Sequence, residues 1–218
     1  MTDIPPLTAE ILARRGIDPA AADAWVPAEY DPVTFRTEQA REVLSRVIPT
    51  RFAEAKADHP EVADWVRRYL KAPNEAPSLV LVGPTGTGKT WQCWGAARAI
   101  VEGLAATGRG LIWRATTHPD LNAALRPKPD QSHSWALEPY LEAELLLLDD
   151  VGAGKQSDWT GDSLYRLVDH RWSNRKTTIY STNLTAKALT DAVGDRVVSR
   201  LADAVHVTIK GTDRRWAA

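Results

Sequence analysis

The sequence predicts an α/β fold in three layers, a five-stranded parallel sheet between helices, and three observations predict it. The apolar run Ser78-Leu79-Val80-Leu81-Val82 leads into Gly83-Pro84-Thr85-Gly86-Thr87-Gly88-Lys89-Thr90. Apolar residues then recur at helical spacing through Cys93, Trp94, Ala97, Ile100, Val101 and Leu104. Second, Leu145-Leu146-Leu147-Leu148 ends in Asp149-Asp150 and a glycine turn, the pattern of a buried parallel strand. Third, strand-like and helix-like stretches alternate to residue 209, as a parallel sheet with crossover helices requires.

Residues 83–90 fit the pattern G-x-x-x-x-G-K-[ST] in the setting that gives the pattern meaning, after a strand and before a helix. Glycines let the backbone wind tightly and turn its N–H groups onto phosphate oxygens, and the helix start adds partial positive charge. Lys89 is placed to reach the β- and γ-phosphates and Thr90 to ligate Mg²⁺. Strands of this kind present their chemistry at the carboxyl end. Asp149 is therefore read as a second Mg²⁺ ligand and Asp150 as the group that orients or deprotonates the attacking water. The bland alternatives are a glycine turn without ligand and a solvated acidic turn. The predicted ligand is a nucleoside triphosphate.

Composition sets the outer limits. With 218 residues, 44% hydrophobic and 25% charged, there is material for one sizeable core and an appendage. A formal charge of −1 gives no global basic field, so nucleic-acid contact needs a local patch or a surface shared among subunits. One cysteine excludes an internal disulfide, and the histidines at 59, 118, 133, 170 and 206 show no zinc spacing. Met1-Thr2-Asp3-Ile4-Pro5-Pro6 does not read as a signal peptide and no run approaches membrane-spanning length. A cytoplasmic location without membrane contact is expected.

Residues 1–49 are expected to form a small helical N-terminal region ahead of a nucleotide-binding domain over 50–218. Its candidates are a short helix over 7–15 and a helix start at Asp18-Pro19. A break at Tyr30-Asp31-Pro32 follows, then a helix capped by Thr37 with Ala40, Val43, Leu44 and Val47 inward. Pro60 opens a helix with Val62, Trp65, Val66, Tyr69 and Leu70 inward and Arg67 and Arg68 turned to solvent. A linker over 72–77 precedes the first strand. Further strands are expected over 111–115, 145–150, 176–181 and 205–209. Helices are expected near 121–125, 137–141 and 157–174 (Leu164, Leu167, Val168 and Trp172 inward), and over 193–201 with Arg196 and Arg200 on one face. Arg126-Pro127-Lys128-Pro129 and Ser132-His133-Ser134-Trp135 combine cations with an aromatic, as single-strand binders do; the alternative is a surface loop whose Trp packs on its own domain.

Together these motifs resemble the AAA+ ATPases, and within them the DnaC/IstB-like group of helicase loaders, over about residues 51–215. Residues 83–90 match Walker A and 145–150 match Walker B. Ser181-Thr182-Asn183-Leu184 matches the group's sensor 1 stretch, and Gly194-Asp195-Arg196-Val197-Val198-Ser199-Arg200-Leu201 matches its box VII. Asp158-Trp159, Leu164-Tyr165-Arg166 and Asp169-His170-Arg171 are similar to the group's helix after Walker B. Three departures stand out. Asp150 occupies a position where many members carry Glu, one methylene longer. The chain stops soon after the fifth strand, so no C-terminal lid is expected, and Arg214 or Arg215 remain as sensor 2 candidates. The N-terminal region lacks the zinc-ligand cysteines of some loaders.

The resemblance implies ATP with Mg²⁺, slow assembly-dependent hydrolysis, and Asp150, Asn183 and Arg200 as catalytic residues. Arg200 would reach the γ-phosphate of a neighbouring subunit, so the chain is expected to form homo-oligomers with shared ATP sites. It further implies single-stranded DNA and a replicative DNA helicase as partners, with residues 1–49 as the docking region by position. Competing readings are an IstB-like transposition helper and a nucleotide-gated scaffold with little hydrolysis. A small phosphotransferase is a third, and the box VII match argues against it.

Overall fold

The computed structural model describes Arg14, Gly16 and residues 31–73, 75–126, 133–153 and 158–211. All but Arg14 of the expected helix over 7–15, the start at Asp18-Pro19, and Lys128, Arg214 and Arg215 lie outside these residues, as does the question of a C-terminal lid. Strands β1 (Leu79–Val82), β2 (Trp113–Thr117), β3 (Leu145–Asp149), β4 (Thr177–Thr182) and β5 (Val205–Thr208) form one parallel sheet in the order β2-β3-β4-β1-β5. Successive strand residues point to opposite faces, and both faces are covered, which is why the central strands read as unbroken apolar runs. Leu79, Leu81, Leu145, Leu147, Ile179 and Val207 pack beneath α1 (Pro32–Val47), α2 (Pro60–Lys71) and α3 (Lys89–Ala106). On the other face, Val80, Leu146, Leu148 and Tyr180 pack against α4 (His118–Ala124), α5 (His133–Glu142), α6 (Asp158–Ser173), α7 (Ala186–Val193) and α8 (Asp195–Leu201). The expected three-layer α/β fold is the one observed.

Local differences from the expected elements have local causes. The helix after Tyr30-Asp31-Pro32 starts earlier than expected: Asp31 is the N-cap of α1, accepting from the N–H groups of Val33 and Thr34, with Pro32 at the first helical position. Thr37 is no cap; its hydroxyl donates to the Val33 carbonyl within the helix. Leu44 is buried, but Val43 and Val47 are about half exposed, so the inner face is narrower than the pattern indicated. The second strand sits two residues later than expected, leaving Ile112 60% exposed. The expected helix over 193–201 is α8, which starts two residues later because Gly194 at φ +85° is its N-cap; Gly194 also ends α7, a helix not expected from the sequence and capped by Thr185. Trp172, expected inward, is 47% exposed with its indole N–H on Asp203.

Two devices fix the helical layers. Gly95, in the interior of α3, lets the Lys56–Ala57 backbone approach so closely that a Cβ there would lie 2.1 Å from the Lys56 carbonyl carbon. The strap so admitted is held by Gln92, whose amide bonds Asp58 and the His59 N–H, and by Arg98, which bonds the carbonyls of Ala53 and Ala55. On the other face the guanidinium of Arg171 is fully buried and makes five hydrogen bonds, all to neutral oxygens: Thr178 Oγ1 and the carbonyls of Tyr140, Leu141, Ala143 and Thr177. Burial pushes its pKa down to about 10, so it stays charged at neutral pH. Among the described residues no helix is long and apolar enough to cross a membrane.

Candidate nucleotide site

All five strands run the same way, so their carboxyl ends share one edge, and the sequence motifs gather there. The loop after β1 opens onto a cleft of about 350 Å³ lined by Arg51, Phe52, Thr85, Gly86, Gly88, Lys89, Thr90, Trp91, Asp150 and Asn183. Gly88 at φ +98° turns the chain into α3, a conformation open to glycine at no steric cost, and Lys89 and Thr90 follow as the first helical residues. Pro84 pins the loop: its carbonyl accepts from Thr87 Oγ1 at 2.9 Å and from Lys89 Nζ at 2.8 Å. Gly83 N–H reaches the Thr182 carbonyl, tying the loop's entry to β4.

The acidic pair divides by position. Asp149 closes β3 and is 6% exposed, its Oδ1 accepting from Ser181 Oγ. Asp150 follows at φ +54° with its N–H on Ser181 Oγ at 3.1 Å, and it lines the cleft. Asn183, just beyond β4, donates from Nδ2 to Thr85 Oγ1 at 3.3 Å, so the expected sensor residue touches the phosphate loop directly. Cys93, one turn into α3, is fully buried. Its thiol is pushed well up, by burial first and then by the charge of Asp149, and acts as packing. For Mg²⁺ the residues that could serve as donors are Thr90, through its hydroxyl, and Asp149, through its carboxylate. Hard oxygen donors, few in number and beside a phosphate site, suit an ion that keeps several waters and takes phosphate oxygens.

Arg200 lies elsewhere. On α8 its Nε donates to Asp169 Oδ1 at 2.9 Å and its Nη1 to Ser199 Oγ. The guanidinium lies 5.6 Å from the Tyr165 ring centroid and 5.2 Å from that of Trp172, and Arg196 stands over the same Tyr165 ring at 5.4 Å. The shared face of Arg196 and Arg200 is thus present, but Arg200 is not among the residues lining the nucleotide cleft. Of the DNA-contact candidates, Arg126 is exposed, and Trp135, 68% exposed, sits at the start of α5. Sequence reasoning missed Arg51, Phe52 and Trp91 as cleft residues. The signal available was Gly95: a glycine inside a helix marks close approach of another segment, here the strap that follows Phe52.

A glycine loop between β1 and α3, an amide just past the adjacent strand β4 and two acidic residues at the tip of β3 beyond it define a P-loop ATPase of the AAA+ type. The family model described as IstB-like ATP binding protein matches residues 54–215, and the chain belongs to that family. It is 26% identical over 127 residues to the replicative helicase loader DnaC of Escherichia coli K12, covering 57% of this chain and 49% of that protein. It is 29% identical over 119 residues to a Pseudomonas fluorescens protein named as the ATP-binding protein of insertion sequence IS1162, covering 54% and 46%. A crystal structure of the DnaC helicase loader superposes with a TM-score of 0.61 at 25% identity, covering 74% of this chain and 100% of that one. The chain spans about half the length of the curated relatives it matches.

Proposed function

We propose that this chain is an Mg²⁺-ATP-dependent accessory protein of DNA replication, a cytoplasmic loader that acts on a replicative helicase and single-stranded DNA. One observation carries the mechanism: Lys89, Asp150 and Asn183 share one cleft while Arg200 sits outside it against Tyr165, so a single chain offers half of a hydrolytic site. In the cleft the loop N–H groups and Lys89 bind the β- and γ-phosphates, and Phe52 and Trp91 give the base an apolar wall. Thr90 and Asp149 hold the metal, which when bound neutralises charge on the phosphate oxygens. Asp150 orients the water whose oxygen attacks the γ-phosphorus as the bond to ADP breaks, and Asn183 holds the terminal phosphate. Arg200 of an adjacent subunit completes the site, because a guanidinium offers planar paired donors and keeps its charge.

Partner contacts follow from position. Residues 1–49 form the helicase-docking region, and Val33, Val43 and Val47, each about half exposed on α1, give it apolar surface. The DNA contact is made by Arg126, Lys128 and Trp135. Mixing Lys89→Ala with Arg200→Ala tests the shared site: each supplies the half the other lacks, so mixed assemblies regain hydrolysis that neither shows alone. Absence of recovery at concentrations where wild type assembles refutes it. The second reading, a transposition helper, is favoured by the family's description and the insertion-sequence relative. Co-purification on the tagged chain with and without ATP separates them: a helicase supports the first, a transposase the second.

A further inference from the structure

The mechanism leaves a buried histidine unused. His118, the first residue of α4, is fully buried, and its Nδ1 accepts the Gly152 N–H at 3.2 Å. Its neighbour Thr117 is the strand partner of Asp149, so the ring stands beside the tip of β3. Gly152 belongs to the turn that carries Asp150. Asp150 has φ +54° and Gly152 φ +87°, two left-handed residues in three. A non-glycine residue in that region costs on the order of 1 kcal/mol and persists only where its surroundings hold it.

The holding groups come from two sides. From β4, Ser181 Oγ accepts the Asp150 N–H, the Ser181 carbonyl accepts the Val151 N–H at 2.8 Å, and Thr182 Oγ1 donates to the Val151 carbonyl at 2.8 Å. From β2 and α4, His118 alone among the described residues takes the Gly152 N–H. Burial lowers the His118 pKa, so the ring is neutral. With Nδ1 accepting, the proton is on Nε2, which lies 3.3 Å from Asn122 Nδ2. Asn122 Oδ1 is buried without a hydrogen-bond partner, so exchanging the amide O and N positions turns Oδ1 toward Nε2–H, pairs the two and fixes the ring. His118 is a strut, anchored by Asn122 and braced against the turn. The turn needs bracing because Asp is one methylene shorter than Glu, so its backbone rather than side-chain reach must place the carboxylate.

We propose that His118 is a positioning residue for hydrolysis: by accepting the Gly152 N–H through Nδ1 it holds the left-handed turn that aims Asp150 into the nucleotide cleft. This rests on the reading of Asp150 given above. The test compares His118→Gln, His118→Ala and His118→Asn with wild type and Asp150→Asn. Asn carries an oxygen the same number of bonds from Cα as Nδ1, whereas Gln places its polar atoms one bond further. The measurements are kcat and KM for ATP, the affinity of a non-hydrolysable ATP analogue, Tm, and hydrogen exchange at the Gly152 amide. In His118→Gln and His118→Ala, kcat falls by roughly ten- to a hundredfold, the scale of a displacement near 1 Å. KM and analogue affinity stay within about twofold, since the phosphate loop is untouched. His118→Asn regains most of kcat and the Gly152 protection. Full kcat in His118→Gln with an inactive Asp150→Asn overturns this proposal and leaves the site reading standing. Parallel loss of kcat and Tm in all three variants, His118→Asn included, also overturns it, because the ring is then only core. A fully active Asp150→Asn, or a wild type that binds ATP without turnover, takes down the reading and the proposal together.

Discussion

The nucleotide cleft and the face around Arg200 are built from different materials. In the cleft, polar groups are fixed by the backbone: Pro84, Ser181 and Thr182 hold the loop and the acidic turn through short hydrogen bonds. On the Arg200 face, long cationic side chains lie on aromatic rings and are tied by one partly exposed ion pair to Asp169. A site that must be preorganised is rigid, whereas in the proposed reading Arg200 acts on another molecule and has only side-chain contacts to leave. The difference teaches that the two halves answer to different physics and fail differently.

The comparison breaks most sharply at Arg200. Arg200→Ala loses assembly-dependent hydrolysis by roughly 10³-fold while analogue binding by the isolated chain is nearly unchanged. A fully active variant would transfer the role to Arg196 or abolish it. Lys89→Ala acts on the other half, weakening ATP binding by up to about a hundredfold, as expected for losing a charge-assisted contact worth roughly 3 kcal/mol. Wild-type affinity measured by calorimetry would refute the loop assignment. Asp169→Asn sharpens the contrast. The pair is partly exposed and worth at most about 1 kcal/mol, so freeing the guanidinium raises assembly-dependent kcat about two- to fivefold and barely shifts Tm. Unchanged kcat would show that leaving Asp169 is no part of the cycle.

The smallest effect is one of pH. His118 has a folded pKa below its ordinary 6.5, so the unfolded chain takes up a proton more readily than the folded one as pH falls. Its contribution is complete above 6.5 and is lost on acidification toward the folded value. Tm should fall more steeply below about pH 6.5 in wild type than in His118→Asn, and identical pH profiles would show that the ring does not titrate with unfolding. For DNA, Arg126→Ala with Lys128→Ala should reduce the slope of log affinity against log salt by about two.

Much of this was legible in the chain. The strands at 79–82 and 145–149 and the loop between strand and helix are local patterns, and local patterns survive folding because each is stabilised within a few residues. Asn183 was legible as a polar residue at a strand tip. The approach of Phe52 and Trp91 was not, because it depends on a strap running over Gly95 from a distant part of the chain. His118 was set aside with the other scattered histidines, since its partner Gly152 is 34 positions away and offers only a backbone N–H. The start of α1 was placed too late, at Thr37, because Asp-Pro serves both to interrupt a chain and to start a helix.

Arg171 has a consequence for how the domain opens. Its five acceptors lie at the end of α5, in the stretch leading to β3 and at the start of β4, while the arginine itself belongs to α6. Were any one of these segments to fray alone, a cation would be left among apolar side chains with part of its coordination missing. Partial opening is therefore costlier there than the separate contacts suggest, and α5, the end of α6 and the start of β4 come apart together. Slow amide exchange across these segments should follow a single free energy, making this edge one cooperative unit opposite the nucleotide cleft.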